Sequence, residues 1–158
     1  AERYGYGHAF QNTKARMNPN ELVAKMDAIV DTYHGQSHPL PALIDLRREL
    51  AGNLYSLTGY VKKSYGQAGL TEAKRKWAFS RAIVNARQLD AKTPFNMLQV
   101  NAEASDEIKR LRDEEVMAEA GKDALKSKID ATKEVLSAMQ QEIAVLTHEY
   151  KTTHFQTH

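Results

Sequence analysis

The fold turns on the stretch IKRLRDEEVMAEAGKDALKSKIDATKEVLSAMQQEIAVLTHEY, residues 108–150. Ile108, Leu111, Glu115, Ala118, Lys122, Leu125, Ile129, Thr132, Leu136, Met139, Ile143, Leu146 and Tyr150 follow one another at steps of three and four without a slip. Ten of these thirteen positions are apolar, so they form a heptad seam. Gly121 lies within the stretch, but the register passes through it unchanged, and a glycine inside a helix costs only about 1 kcal/mol. Thr93-Pro94 supplies a cap followed by a first-turn proline. The spacing therefore predicts one continuous C-terminal helix of about 55–60 residues, roughly 85–90 Å long. A compact domain of this length has a radius of gyration of only about 15 Å. Such a seam must be covered by other helices of the chain, by another chain, or by both, and homo-oligomerisation is the expectation. Glu115 and Lys122 weaken the first half of the seam. The oligomer contact is accordingly expected at Leu125, Ile129, Leu136, Met139, Ile143, Leu146 and Tyr150.

Upstream, the punctuation marks shorter elements. Residues 1–18 hold Tyr4, Tyr6 and Phe10 with no helical or strand period, and read as an irregular arm that docks on a neighbour. Asn18-Pro19-Asn20-Glu21 has a capping asparagine, a first-turn proline and a capping-box acid. Leu22, Met26, Ile29, Val30 and Tyr33 then share a face until Gly35. Pro39 and Pro41 restart the chain, and Leu43, Leu46, Leu50, Leu54, Leu57, Val61 and Tyr65 form the stripe of a second helix. Gly66 and Gly69 predict a turn, and Thr71 a cap for a third helix to about Lys92, with Trp77 in its core. The expected fold is all-α. It is a helical hairpin or bundle forming a single structural unit: an arm at 1–18, a basic three-helix region at 19–92, and one very long acidic coiled-coil helix at 93–158.

The chain has 158 residues, 27% charged, and no cysteine. That excludes disulfide scaffolds, thiolate metal sites and cysteine nucleophiles. No apolar run approaches the 18 residues of a membrane span, and the N-terminus lacks a signal-peptide pattern. An initial alanine fits excision of a starting methionine, so the chain reads as complete, soluble and cytoplasmic, or virion-associated if it is structural.

A net charge of +2 hides an asymmetry. Residues 41–92 carry ten basic and four acidic side chains, a net +6, whereas residues 93–158 carry eight and twelve, a net −4. The basic excess gathers around residues 62–76. Lys62, Lys63, Lys74, Arg75, Lys76, Arg81 and Arg87 lie among Tyr60, Tyr65 and Trp77. Clustered cations neutralise phosphates and flat rings stack bases, at roughly 1–3 kcal/mol each, without reading sequence. Lys62, Lys63, Tyr65, Lys74, Arg75, Lys76, Arg81 and Arg87 are the candidate nucleic-acid-binding residues. A competing use for the same cations is pairing with the acidic run Asp113-Glu114-Glu115, within the chain or between chains.

Catalytic signals are absent. His34 and His38 are four apart, but Gly35 and Pro39 make a helical pair there improbable, and His34 reads as a helix-end residue facing terminal carbonyls. No His has a carboxylate spaced to complete a metal site. No phosphate-cradling glycine loop, nucleophile elbow or dinucleotide fingerprint occurs. No enzyme activity, metal or cofactor is expected.

Thr71-Glu72-Ala73-Lys74-Arg75-Lys76 follows a Leu/Tyr-rich helix and precedes the long helix ending Val135-Leu136-Ser137-Ala138-Met139-Gln140-Gln141-Glu142-Ile143-Ala144-Val145-Leu146-Thr147-His148-Glu149-Tyr150. Over residues 43–150 this layout resembles the small helical recombination mediators of tailed bacteriophages, of the UvsY type. The resemblance implies an all-helical, ring-forming homo-oligomer with no catalytic centre. It implies binding of single-stranded DNA without sequence preference, and loading of a strand-exchange recombinase onto DNA coated by single-strand-binding protein. It would place DNA contacts at Lys62, Lys63, Lys74, Arg75, Lys76 and Arg81. The aromatic arm is outside that pattern. It leaves a second expectation, a phage capsid, neck, tail or scaffolding component.

Overall fold

A computed structural model describes residues 17–155, so the aromatics of the N-terminal arm lie outside it. The described residues form four helices and no strand: α1 (Pro19–Gly35), α2 (Leu40–Leu89), α3 (Phe95–Ala104) and α4 (Asp106–Phe155). The all-α expectation holds.

Local chemistry sets the starts. Asn18 and Glu21 form the reciprocal capping box: the Asn18 side chain accepts from Glu21 N at 2.9 Å, and Glu21 accepts from Asn18 N at 3.1 Å. Leu22, Met26 and Ile29 are the buried face of α1. Pro39 occupies the N-cap of α2, and Pro41 falls in its first turn. His38, not His34, meets a helix-end carbonyl. Its buried ring places Nε2 2.9 Å from the Thr32 oxygen.

The expected turn at Gly66 and Gly69 does not form. α2 runs for 50 residues, about 75 Å, and the predicted second and third helices are one. The seam of α2 continues through Ser64, Ala68, Thr71, Arg75 and Ala78 at the same steps of four, three, four and three. These residues are small or polar, so the stripe is present while its hydrophobicity drops. Thr71 is a buried seam residue rather than a cap, and its hydroxyl donates to the Ala68 carbonyl at 2.8 Å. Neither glycine has a positive φ, so neither is in the left-handed conformation that ends helices.

The last helix is shorter than expected. It passes through Gly121 unbroken, but Ser105, extended at ψ 143°, separates α3 from the 50-residue α4. The Ser105 hydroxyl donates to Ala102 O at 2.7 Å, and its backbone carbonyl accepts from Lys109 N at 3.1 Å, so the break is satisfied from both sides. Thr93 does not cap α3. Its hydroxyl donates to Asp90 Oδ2 at 2.6 Å inside the hairpin turn. Asp90 Oδ1 accepts from Lys92 N, and Arg87 donates to the carbonyls of Ala91 and Thr93 at 2.9 Å.

α2 and α4 lie antiparallel along their lengths, and α1 packs against α2 at the base. Leu22, Met26 and Ile29 of α1, Leu43, Leu50 and Leu57 of α2, and Ile129 and Met139 of α4 make one core. A smaller cluster of Ala78, Ile108 and Leu111, with Phe79 against it, closes the distal half. The seam of α4 is thus covered within the chain. Met139 and Ile129 are buried, and Leu125, Leu136, Ile143 and Leu146 pack around them. These seam residues, expected to contact another copy, face α1 and α2 instead, while Tyr150 is 63% exposed. A 50-residue partner helix covers what one ending at Gly66 could not.

Candidate nucleic-acid interface

The continuity of α2 rearranges the basic cluster. In a helix, residues separated by alternating steps of three and four share one face. Lys63, Leu70, Lys74, Trp77, Arg81 and Val84 follow at steps of seven, four, three, four and three. They form a second, exposed stripe on α2, about 100° round the helix from the seam that carries Ala68, Thr71, Arg75 and Ala78. Leu70, Trp77 and Val84 are exposed, as are Lys63, Lys74 and Arg81. Lys62, also exposed, lies beside the stripe.

Trp77 departs from the core position expected for it. It is 64% exposed, and the Arg81 guanidinium sits 5.1 Å from its ring centroid. That is cation–π distance. One ring face carries the cation while the remaining ring surface meets solvent. Lys62, Lys63 and Lys74 have no carboxylate within ion-pair distance among the described residues. Their charge is therefore uncompensated at close range.

The other candidates separate from this stripe. Arg75 turns into the hairpin and pairs with Glu115 of α4, both side chains about four-fifths buried. That hydrogen bond holds the guanidinium pKa above its usual value. The expected partnership with the acidic run is thus made in cis, by this residue. Lys76 pairs with Glu72 at 2.6 Å one turn away, and the ion pair pulls the Glu72 carboxyl below its usual range. Tyr65 lies on the flank under Lys122, whose Nζ is 5.3 Å from the ring centroid. Lys122 is also held by Glu119, whose hydrogen bond raises the lysine pKa. The two polar seam positions, Glu115 and Lys122, are therefore accommodated by specific partners. Arg87 is committed to the hairpin turn.

Of the eight candidates, Lys62, Lys63 and Lys74 are exposed without an ion-pair partner among the described residues, and Arg81 is exposed over the Trp77 ring. Lys76 and Tyr65 are exposed but engaged, and Arg75 and Arg87 have structural roles. Tyr55, 82% exposed, was not singled out by the sequence. It lines a groove of about 750 Å³ with Leu22, Tyr60, Lys62 and Lys63 at the base of the stripe. The missed signal is the heptad from Lys63 to Val84, which is invisible once α2 is divided at Gly66.

Among the described residues no group of three His, Asp or Glu could hold a metal ion, and no helix is long and apolar enough to cross a membrane. No family model, no curated protein and no solved structure matches the chain.

Proposed function

We propose that the chain is a non-enzymatic accessory protein of bacteriophage recombination or replication that binds single-stranded DNA and acts as a homo-oligomer. The observation that carries this reading is the outward stripe on α2. An exposed Trp77 shares one helix face with Lys63, Lys74 and Arg81, and Lys62 lies beside that face. An exposed ring beside unpaired cations offers what an unpaired strand needs. Cations neutralise successive phosphates, and a ring accepts a base by stacking. Binding of this kind tolerates any sequence and weakens steeply with salt. Fluorescence anisotropy with a labelled oligothymidylate at two salt concentrations tests it. Saturable binding that collapses at the higher salt supports the reading, and no binding at low salt ends it. A recombinase or a single-strand-binding protein is the partner that the family resemblance implies.

A second reading is a structural component of the phage particle, as capsid, neck, tail or scaffold. The exposed apolar side chains at the distal end of the hairpin favour it. Mass spectrometry of purified particles decides, because a structural component must be present in them.

A further inference from the structure

We infer that the groove around Gly59 is a second nucleotide site, where a base of the bound strand stacks on Tyr55 and its phosphate meets Lys62 and Lys63. The inference rests on the single-strand reading of α2 and adds to it a site that the Trp77 stripe does not contain. Gly59 is the centre of the arrangement. On a helix surface the neighbours of a residue lie three and four positions away on either side. For Gly59 these are Tyr55, Ser56, Lys62 and Lys63, and all four are exposed. A Cβ at Gly59 would meet no atom within 4 Å, so the four side chains surround a hollow. They line the groove of about 750 Å³, a volume within the roughly 300–1,000 Å³ of small-ligand sites.

The chemistry of the lining selects the occupant. Met17 and Leu22 close one side, and Tyr60 is fixed there by donating its hydroxyl to the Met17 carbonyl at 2.6 Å. Tyr55 is 82% exposed, so its ring is open to a stacking partner. Lys62 and Lys63 stand across the hollow, about 10 Å further along the helix. None of the described residues lining the groove is acidic. A ring facing two ammonium groups suits a ligand that carries a flat ring and a negative charge together, as a nucleotide does. Ser56 and Thr58 donate their hydroxyl protons to the carbonyls of Gly52 and Tyr55, so those donors are not directed at a base edge. Lys63 belongs to both the groove and the stripe, which makes the two continuous. Tyr55 and Trp77 are 22 residues apart, about 33 Å along α2. A strand stacked at about 3.4 Å per nucleotide needs about ten nucleotides to reach both rings.

Anisotropy of the full chain with labelled oligothymidylates of about 4 and about 12 nucleotides tests this, since only the longer one reaches both rings. The longer oligomer should bind more tightly. Tyr55→Ala should weaken its binding by about 5- to 150-fold without changing the salt slope, because it removes a ring and no charge. Gly59→Leu fills the hollow with a strong helix former, so it should weaken binding with unchanged helical circular dichroism. An unchanged affinity for the longer oligomer in either variant overturns the inference, as does a shorter oligomer that binds equally well. If Trp77→Ala weakens binding while Tyr55→Ala and Gly59→Leu do not, the groove site falls and the stripe stands. If neither oligomer binds the unsubstituted protein at low salt, both readings fall together.

Discussion

Replacing Trp77 with alanine is the sharpest probe of the α2 stripe, because the side chain is 64% exposed and fills no core space. Its removal leaves the packing of Ala78, Ile108 and Leu111 intact, so folding should be nearly unaffected. If a base stacks on the ring, the loss is about 1–3 kcal/mol, or roughly a 5- to 150-fold weaker dissociation constant. The electrostatic part is separable. Lys62, Lys63, Lys74 and Arg81 are the cations free to meet phosphates. Four contacts at about −0.7 each give a log–log salt slope near −3, so a fourfold rise in salt weakens binding about 50-fold. Trp77→Ala should lower affinity by the same factor at every salt concentration and leave the slope unaltered. Lys63→Gln or Lys74→Gln should each reduce the slope by about 0.7. Arg75→Gln should leave the slope unchanged, because that guanidinium is already spent on Glu115. Anisotropy titrations at four salt concentrations measure all of these. If Arg75→Gln flattens the slope as much as Lys74→Gln does, or if Trp77→Ala has no effect, the stripe is not the binding face.

Other consequences concern the fold. Gly66→Ala, Gly69→Ala and Gly121→Ala place a methyl where no atom lies within 4 Å, so each should stabilise by about 1 kcal/mol in urea denaturation; destabilisation would mean that the helix breaks there. Met139→Ala, in a side chain with no exposed surface, should cost about 2–5 kcal/mol by the same assay, and a cost below 1 kcal/mol would place the seam elsewhere. The Tyr33 hydroxyl is raised above its usual pKa by burial and by its 3.0 Å hydrogen bond to Glu142. A raised folded pKa means that its contribution is complete below about pH 10 and fades as pH climbs through the folded value. Tyr33→Phe should flatten that alkaline decline, and a decline of equal steepness would refute it. Asp90 is held below its usual range by the Thr93 hydroxyl and the Lys92 amide. Its stabilisation of the hairpin turn is present above the ordinary aspartate pKa and fades as pH falls through the lower folded value, so Asp90→Asn should lessen the acid sensitivity of hydrogen exchange in residues 87–95.

Much of this architecture is legible along the chain, and the reasons are local. The capping box at Asn18 and Glu21 needs four residues to be recognised. The seam of α4 is regular enough that Ile108, Leu111, Ile129, Thr132 and Met139 can be placed on the buried side before any packing is known. Gly121 could be passed over because the heptad does not shift there. The sequence reading failed where composition and period disagree. Around Gly66 the α2 seam becomes Ser64, Ala68 and Thr71, so its periodicity survives while its hydrophobicity lapses. Two glycines then look like a turn, although a helix pressed along its length against another tolerates both. Ser105 shows the converse, a break without glycine or proline.

The candidate site depended on that one misreading. Tyr65 and Trp77 sit in apolar-looking positions, and a divided helix gives each a core to enter. Once α2 is continuous, the phase carried from Leu43 and Leu50 turns Trp77 outward with Lys63, Lys74 and Arg81, and turns Arg75 inward to Glu115. Helical phase propagates at a fixed angle per residue, so one missed turn reassigns every face beyond it. The chain by itself determined the helical class, the start of α1 and the buried seam of α4, because these follow from spacing within a single helix. Tertiary structure alone decided what covers that seam and which cations remain free. Those depend on how far α2 extends alongside α4, which sets the surface each helix removes from water.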